Sequence, residues 1–314
     1  MREKLSIDSL LLRLKFLLVE GDEKILFVIE WYTNTFHVSS KYFFVSKVSV
    51  LKVVLLCGSV SLKELQNCVL NDTSNTVKAV TNEDVLFAVK TYHANHKKRI
   101  VIVKRTWAKM AKFVEYFSDM TDQYVPTIDL GVNNTERGHC EKTLSILKYF
   151  LGNDEMSGVQ WLAVVDDDTL IGVPRLYRLL SCYSPLKEMI IGERYGYGFS
   201  TNGKYGYEYP TGGAGMVFSR PAVQRLIGGC RCPSLDSPDD MIIGMCARRL
   251  QIPIIHSAAF HQARSIDYSP VYIQRISPIS FHKFEEIDPY EDYMQLLHER
   301  GTIPANRPSS HSEL

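Results

Sequence analysis

The stretch Trp161-Leu-Ala-Val-Val-Asp-Asp-Asp-Thr-Leu170 decides the fold. Five apolar residues run straight into three carboxylates, after which the chain turns apolar again. A short run of this length, rich in β-branched residues, has the pattern of a buried strand. The aspartates cannot continue into a core, because unpaired buried charge is too costly. They belong at a sheet edge where something cationic meets them. Two readings stand at this point. Aspartate oxygens are hard ligands suited to Mg2+ or Mn2+, and a solvated loop with one Asp capping the next helix is the plain alternative. Strand alternation places Asp166 and Asp168 on one side and Asp167 on the other.

Outward from this stretch, strand and helix signals alternate. Residues 85–89, 113–117 and 127–130 precede it as strands, and residues 141–151 as a helix with Leu144, Leu147 and Leu151 on one face. Residues 100–111 fit a strand by their β-branched run and a helix by the spacing of Ile100, Val103, Trp107 and Met110. After it come a helix opening at Pro174, strands at 189–192 and 216–218, a helix capped by Ser219, a helix from Asp239 to Leu250, and a strand at 252–255. Such alternation implies an α/β domain with a largely parallel mixed sheet flanked by helices. Ligands of open sheets bind beyond the carboxyl ends of the strands, where the aspartates fall.

The remaining features bound the function. The chain has 314 residues, 45% hydrophobic and 23% charged, with net charge +1. No basic face is set up for a polyanion, so nucleic acid is excluded as the expected partner. The longest apolar candidate, residues 48–60, is too short to span a bilayer and carries Lys52 and Gly58. In the first twenty residues Arg13 and Lys15 interrupt any signal-peptide core, and an amphipathic helix is the local reading. Residues 25–29 and 48–56 read as strands and 61–82 as a polar linker. Thus 1–82 is an N-terminal segment and linker, 83–300 the main domain, and 301–314 a flexible tail.

That tail ends in His311-Ser-Glu-Leu314, which resembles the retrieval signal of endoplasmic-reticulum proteins. Seven cysteines and the glycosylation acceptors Asn71-Asp-Thr73 and Asn133-Asn-Thr135 lean the same way. The odd count leaves at least one thiol outside any intrachain pairing, and Cys230-Arg-Cys232 is expected to split between two partners.

Four other groups carry possible chemistry. Gly212-Gly213 lets backbone approach a ligand, or makes a tight turn. Tyr195-Gly-Tyr197 and Tyr205-Gly-Tyr207 offer aromatic faces to a sugar, or simple loop packing. Asp239 and Asp240 open a helix, where carboxylates serve the dipole, or where one acts as a general base facing the triplet. His261 is a satisfied core histidine or a metal ligand. His93 and His96, beside Lys97-Lys-Arg99, read as a basic solvated turn.

Taken in order, Thr106-Trp107, Asp166-Asp-Asp168, Gly212-Gly-Ala-Gly215, Pro238-Asp-Asp240-Met241 and Phe260-His261 resemble the Fringe-like branch of the β-1,3-glycosyltransferases. Asp129-Leu-Gly-Val132, Thr135-Glu-Arg-Gly-His-Cys140, Gly192-Glu-Arg-Tyr-Gly-Tyr-Gly198, Cys230-Arg-Cys232, Phe260-His-Gln-Ala-Arg264 and Ile279-Ser-Phe-His282 resemble its members that extend O-linked fucose with glucose. The resemblance covers about residues 84–298.

It implies a GT-A type nucleotide-sugar-binding fold, UDP-glucose as donor, Mn2+ (or Mg2+) as cofactor, inversion at the anomeric carbon, and O-fucosylated thrombospondin type 1 repeats as acceptors. Carried over residue by residue, Asp168 and His261 bind the metal, and Asp166 and Asp167 serve the donor with Gly212 and Gly213. Asp240 takes the proton from the fucose 3-hydroxyl, with Asp239 as substitute. The implied location is the endoplasmic-reticulum lumen. Members of this kind carry a signal peptide and a thioredoxin-like domain ahead of the catalytic one. Only residues 25–37 resemble the start of that region, so 1–82 reads as the remnant of a truncated domain. Two rivals remain: a Fringe-type N-acetylglucosaminyltransferase on O-fucose, and a catalytically inactive folding sensor.

Overall fold

Period-two alternation within unbroken apolar runs builds the central sheet. In a computed structural model the described residues are 79–201 and 205–299, together with the backbone of three strands nearer the N-terminus. The chain divides into two compact units, Met1–Gly58 and Ser59–Leu314. The first contains β1 (Leu10–Leu17), β2 (Lys24–Thr33) and β3 (His37–Ser46), an antiparallel meander in that order. The expected strand at 25–29 lies within β2. The amphipathic helix expected in the first twenty residues is replaced by β1. Its sequence, Leu12-Arg-Leu-Lys-Phe16, alternates with the period of a strand rather than a helix. The expected strand at 48–56, most of the linker, Asn71 and the tail from 300 lie outside the described residues.

The second unit is organised on a seven-stranded mixed sheet. Its strands are β4 (Val85–Lys90), β5 (Phe113–Ser118), β6 (Thr127–Asp129), β7 (Trp161–Asp166), β9 (Ile190–Gly192), β12 (Met216–Ser219) and β13 (Ile254–His256), in the order β13-β9-β12-β7-β4-β5-β6. Pairings β7–β4, β4–β5, β5–β6 and β9–β13 are parallel, and β12 runs antiparallel to both neighbours. Val85, Phe87, Val89, Trp161, Ala163 and Val165 enter one core layer, and Leu86, Ala88, Leu162 and Val164 the other. Burial on both faces is why these strands read as continuous apolar runs.

Two shorter pairings complete the unit. β8 (Thr169–Ile171) pairs antiparallel with β14 (Ser280–His282), and β10 (Arg194–Tyr197) with β11 (Tyr207–Pro210). The ambiguous 100–111 segment is a helix, Arg99–Arg105, followed by a 3-10 turn, Trp107–Met110. Helices Cys140–Gly152, Val173–Leu180, Arg220–Gly229 and Asp239–Leu250 stand where expected. Ser219 occupies the cap position, but its hydroxyl accepts from the Met189 amide at 3.0 Å instead of capping.

Disulfides Cys140–Cys232 and Cys230–Cys246 split the Cys230-Arg-Cys232 pair as expected, and the buried Cys182 joins neither. Among the described residues no helix is long and apolar enough to cross a membrane.

Candidate active site

The register of the two central strands builds the site. Lys90 and Asp166 stand directly across from one another at the carboxyl ends of β4 and β7. Lys90 Nζ lies 3.0 Å from Asp166 Oδ1 and 2.6 Å from Asp239 Oδ2, so one buried ammonium joins two carboxylates. Burial works against the charged lysine, but the two aspartates outweigh it and raise its pKa. Burial likewise opposes ionisation of Asp166 and Asp239, and Lys90 nonetheless holds both below the usual carboxylate range.

The triplet spans the end of β7, at Asp166, and the turn that follows, at Asp167 and Asp168. Asp167 turns to one side, accepting from Thr91 Oγ1 at 2.7 Å, Asn95 Nδ2 at 2.8 Å and Arg99 Nη1 at 3.1 Å. Asp166 and Asp168 both face His282, whose Nε2 is 3.2 Å from Asp168 Oδ1 and 3.7 Å from Asp166 Oδ2. Trp107 secures the following residue, its indole N–H donating to the Thr169 carbonyl at 2.9 Å.

A cavity of about 450 Å³ opens over this cluster. Asp166, Asp167, Asp168 and His282 line it together with Arg99, Lys142 and His139. Arg99 Nη1 also lies 2.9 Å from Asp168 Oδ2, and Lys142 donates to the Thr91 carbonyl at 2.6 Å. Cationic side chains around a carboxylate group suit a diphosphate held with a divalent cation.

Among the described residues the one metal-competent group is Asp166, Asp168 and His282. The expected ligand His261 is not a member of this group. It is buried, stacked on Phe281 at 4.7 Å and edge-on to Tyr268 at 4.7 Å, with Nδ1 3.0 Å from the Ser280 carbonyl. Burial pushes its pKa down to about 4, so the ring is neutral. Strand register brings His282 to this group: β14 sets it across from Thr169, next to Asp168. Nδ1 of His282 lies 3.0 Å from the Gln262 carbonyl, which leaves Nε2 facing the aspartates, the arrangement typical of a metal-binding histidine.

The glycine pair serves these side chains. A Cβ on Gly213 would collide with the His282 ring, so only glycine admits that histidine. The amide of Gly212 donates to Asp240 Oδ2 at 3.2 Å, and that of Met241 to Oδ1 at 2.7 Å.

Asp239 and Asp240 therefore differ. Asp239 is buried and engaged by Lys90 and by Thr143 Oγ1 at 2.6 Å. Asp240 is half-buried with no cation against it, and burial, aided by the Asp239 charge, raises its pKa. Of the residues singled out from sequence, the structure brings together the three aspartates of the triplet and Asp239. Gly212, Gly213 and Asp240 flank them, and His261 is set apart. Lys90, Arg99, Lys142 and His282 were missed. His282 lay in a quoted motif, and Lys90 closes the strand beside the triplet. His96, expected in a solvated turn, is buried against Ser118 and Asp122, while His93 is exposed.

Comparison with known proteins fits this geometry. The Fringe-like family profile matches residues 80–295. A human β-1,3-glucosyltransferase is 52% identical over 221 residues, 70% of this chain and 44% of that protein. The mouse β-1,3-glucosyltransferase is 51% identical, covering 69% and 44%. The Drosophila melanogaster Fringe glycosyltransferase is 29% identical, covering 57% and 49%. The chain spans about half or less of the length of these curated relatives. The chain belongs to the Fringe-like family, and its α/β unit is a glycosyltransferase domain of that family.

Proposed function

We propose that the chain transfers glucose from UDP-glucose, with inversion, to the 3-hydroxyl of O-linked fucose on thrombospondin type 1 repeats. The observation that carries this reading is Lys90, which ties the cation-competent cluster to the helix terminus bearing Asp240. This tie supports a reading in which the cluster serves the donor and Asp240, next to Asp239, serves as base. The names of the human and mouse relatives support a β-1,3-glucosyl transfer.

Asp168 and His282, with Asp166 beside them, would hold Mn2+ or Mg2+. Two carboxylates and an imidazole fit Mn2+ better than Mg2+, which prefers oxygen alone. When bound, the ion supplies counter-charge to the departing diphosphate. Arg99 and Lys142 add positive charge in the same cavity, and Asp167 is held for hydrogen bonding by Thr91 and Asn95. Asp240 accepts the proton of the attacking hydroxyl as its oxygen bonds to the anomeric carbon and UDP leaves. A carboxylate with a raised pKa is suited to that task. The two disulfides suit an oxidising compartment, in keeping with a lumenal enzyme.

The test is a transfer assay offering UDP-glucose and UDP-N-acetylglucosamine to O-fucosylated thrombospondin and epidermal-growth-factor-like repeats, with and without chelator. Chelator-sensitive glucose transfer to the thrombospondin repeat is expected. N-acetylglucosamine transfer to the other acceptor would establish the Fringe-type reading instead, and no turnover of either donor would support the inactive sensor.

A further inference from the structure

The hairpin of β10 and β11 carries an aromatic surface that the donor site does not use. Its register sets Tyr195 across from Tyr209 and Tyr197 across from Tyr207, so all four rings share one face. Ring centroids are 6.2 Å apart for Tyr195–Tyr209, 5.8 Å for Tyr197–Tyr207 and 6.4 Å for Tyr207–Tyr209. Tyr195 is 43% exposed and Tyr197 55%. Contiguous exposed apolar surface is one mark of a binding site.

The hairpin is continuous with the base. β11 runs through Pro210 and Thr211 into Gly212, whose amide lies 3.2 Å from Asp240 Oδ2. The strand lies close against the helix that begins at Asp239. Gly244, one turn beyond Asp240, has no space for a Cβ because Tyr209 and the Glu208 carbonyl fill it. Burial first, and then neighbouring phenols and Asp240, raise the pKa of Tyr207, while burial and Asp240 raise that of Tyr209. Both stay neutral hydrogen-bond donors beside a carboxylate.

We propose that this four-tyrosine face binds the acceptor sugar, stacking its C–H face on Tyr195 and Tyr197 and turning the reacting hydroxyl toward Asp240. The proposal rests on the reading of Asp240 as general base. Its chemistry suits an uncharged pyranose, most of all a deoxy sugar with an extended apolar face: rings supply stacking and phenols supply donors. Glu193 lies near Tyr195 and Asp240 near Tyr207 and Tyr209, while Arg231, Arg248 and Arg249 line a cavity together with Tyr207.

The test uses the full chain as Tyr195→Ala/Tyr197→Ala and as the corresponding double Phe variant. Saturation-transfer NMR with methyl α-fucoside, in the presence of UDP and Mn2+, should show at least tenfold weaker binding to the Ala variant and retained binding to the Phe variant. In the transfer assay the acceptor KM should rise at least tenfold while the donor KM stays within twofold. If the double Ala variant does not fold, Tyr197→Ala, at the most exposed of the four rings, carries the measurement. Unchanged fucoside binding overturns the proposal, and so does a raised KM for the protein acceptor with fucoside binding intact, which would assign the face to peptide. A wild-type chain that binds fucoside through these tyrosines but transfers nothing would sink the proposed activity and leave this site standing.

Discussion

Lys90 Nζ lies 2.6 Å from Asp239, whereas Asp240 accepts from the backbone amides of Gly212 and Met241 with no cation against it. Two adjacent carboxylates thus have opposite consequences for stability. Asp240 has a raised folded pKa, so the folded state binds more protons than the unfolded state between the two pKa values, and stability falls as pH rises through that window. Its ionised form at neutral pH is a cost to the fold. Asp240→Asn is therefore expected to leave the melting temperature unchanged or higher while lowering turnover by roughly 10²–10⁴-fold. Asp239 has a lowered folded pKa, so its contribution is present above the unfolded value and is lost as pH falls through the folded one. Asp239→Asn removes one of the two carboxylates on a buried ammonium that keeps Asp166, and urea unfolding should show a loss of about 1–3 kcal/mol. A melting temperature that drops in Asp240→Asn but not in Asp239→Asn would reverse the assignment. At the same scale, His282→Ala should weaken Mn2+ binding at least tenfold by calorimetry, and His261→Gln should leave it within twofold.

At the scale of elements, periodicity told more than spacing. The runs at 85–89 and 161–165 announced buried strands because both faces of the sheet are covered, and the following carboxylates announced a site at their ends. The partners of those carboxylates were less legible. His282 lies 114 residues beyond Asp168, and only the pairing of β14 with β8 brings it back, a long-range register that no local pattern encodes. Residues 10–17 show the reverse case: an arginine and a lysine alternating with apolar residues carry the period of a strand, where an amphipathic helix is expected from composition. The role of the glycine pair also needed the fold, since its close approach is to His282 and Asp240. A prediction belongs here. Gly213→Ala would push the His282 ring from Asp168, so Mn2+ affinity should fall at least tenfold, while Gly212→Ala, whose Cβ meets nothing nearer than 3.7 Å, should bind the ion normally. Equal affinities in the two variants would show that His282 is not the ligand.

At the scale of the glycosyltransferase domain, the metal-competent cluster and Asp240 come from distant parts of the chain and need a tie that outlasts side-chain motion. The Cys140–Cys232 bridge joins residues 92 apart, fastening the helix that follows the cavity rim to the loop leading into Asp239. The close approach of Gly138 to the Ser237 carbonyl, and the Cys140 amide 3.2 Å from that carbonyl, show how tightly the two segments meet. Closing a loop of this length removes much of the unfolded chain's freedom, and losing the bridge should cost about 2–5 kcal/mol. The Cys140→Ser/Cys232→Ser variant is expected to show a lower urea midpoint than the wild type, with reductant narrowing the difference. Its functional signature should be selective. Asp166, Asp168 and His282 are held by β7, β8 and β14, so Mn2+ binding should persist at temperatures where the variant remains folded. Asp240 rides on the released segment, so turnover should fall under those same conditions. Loss of Mn2+ binding and turnover together would mean that the bridge supports the whole domain rather than the alignment of its two halves.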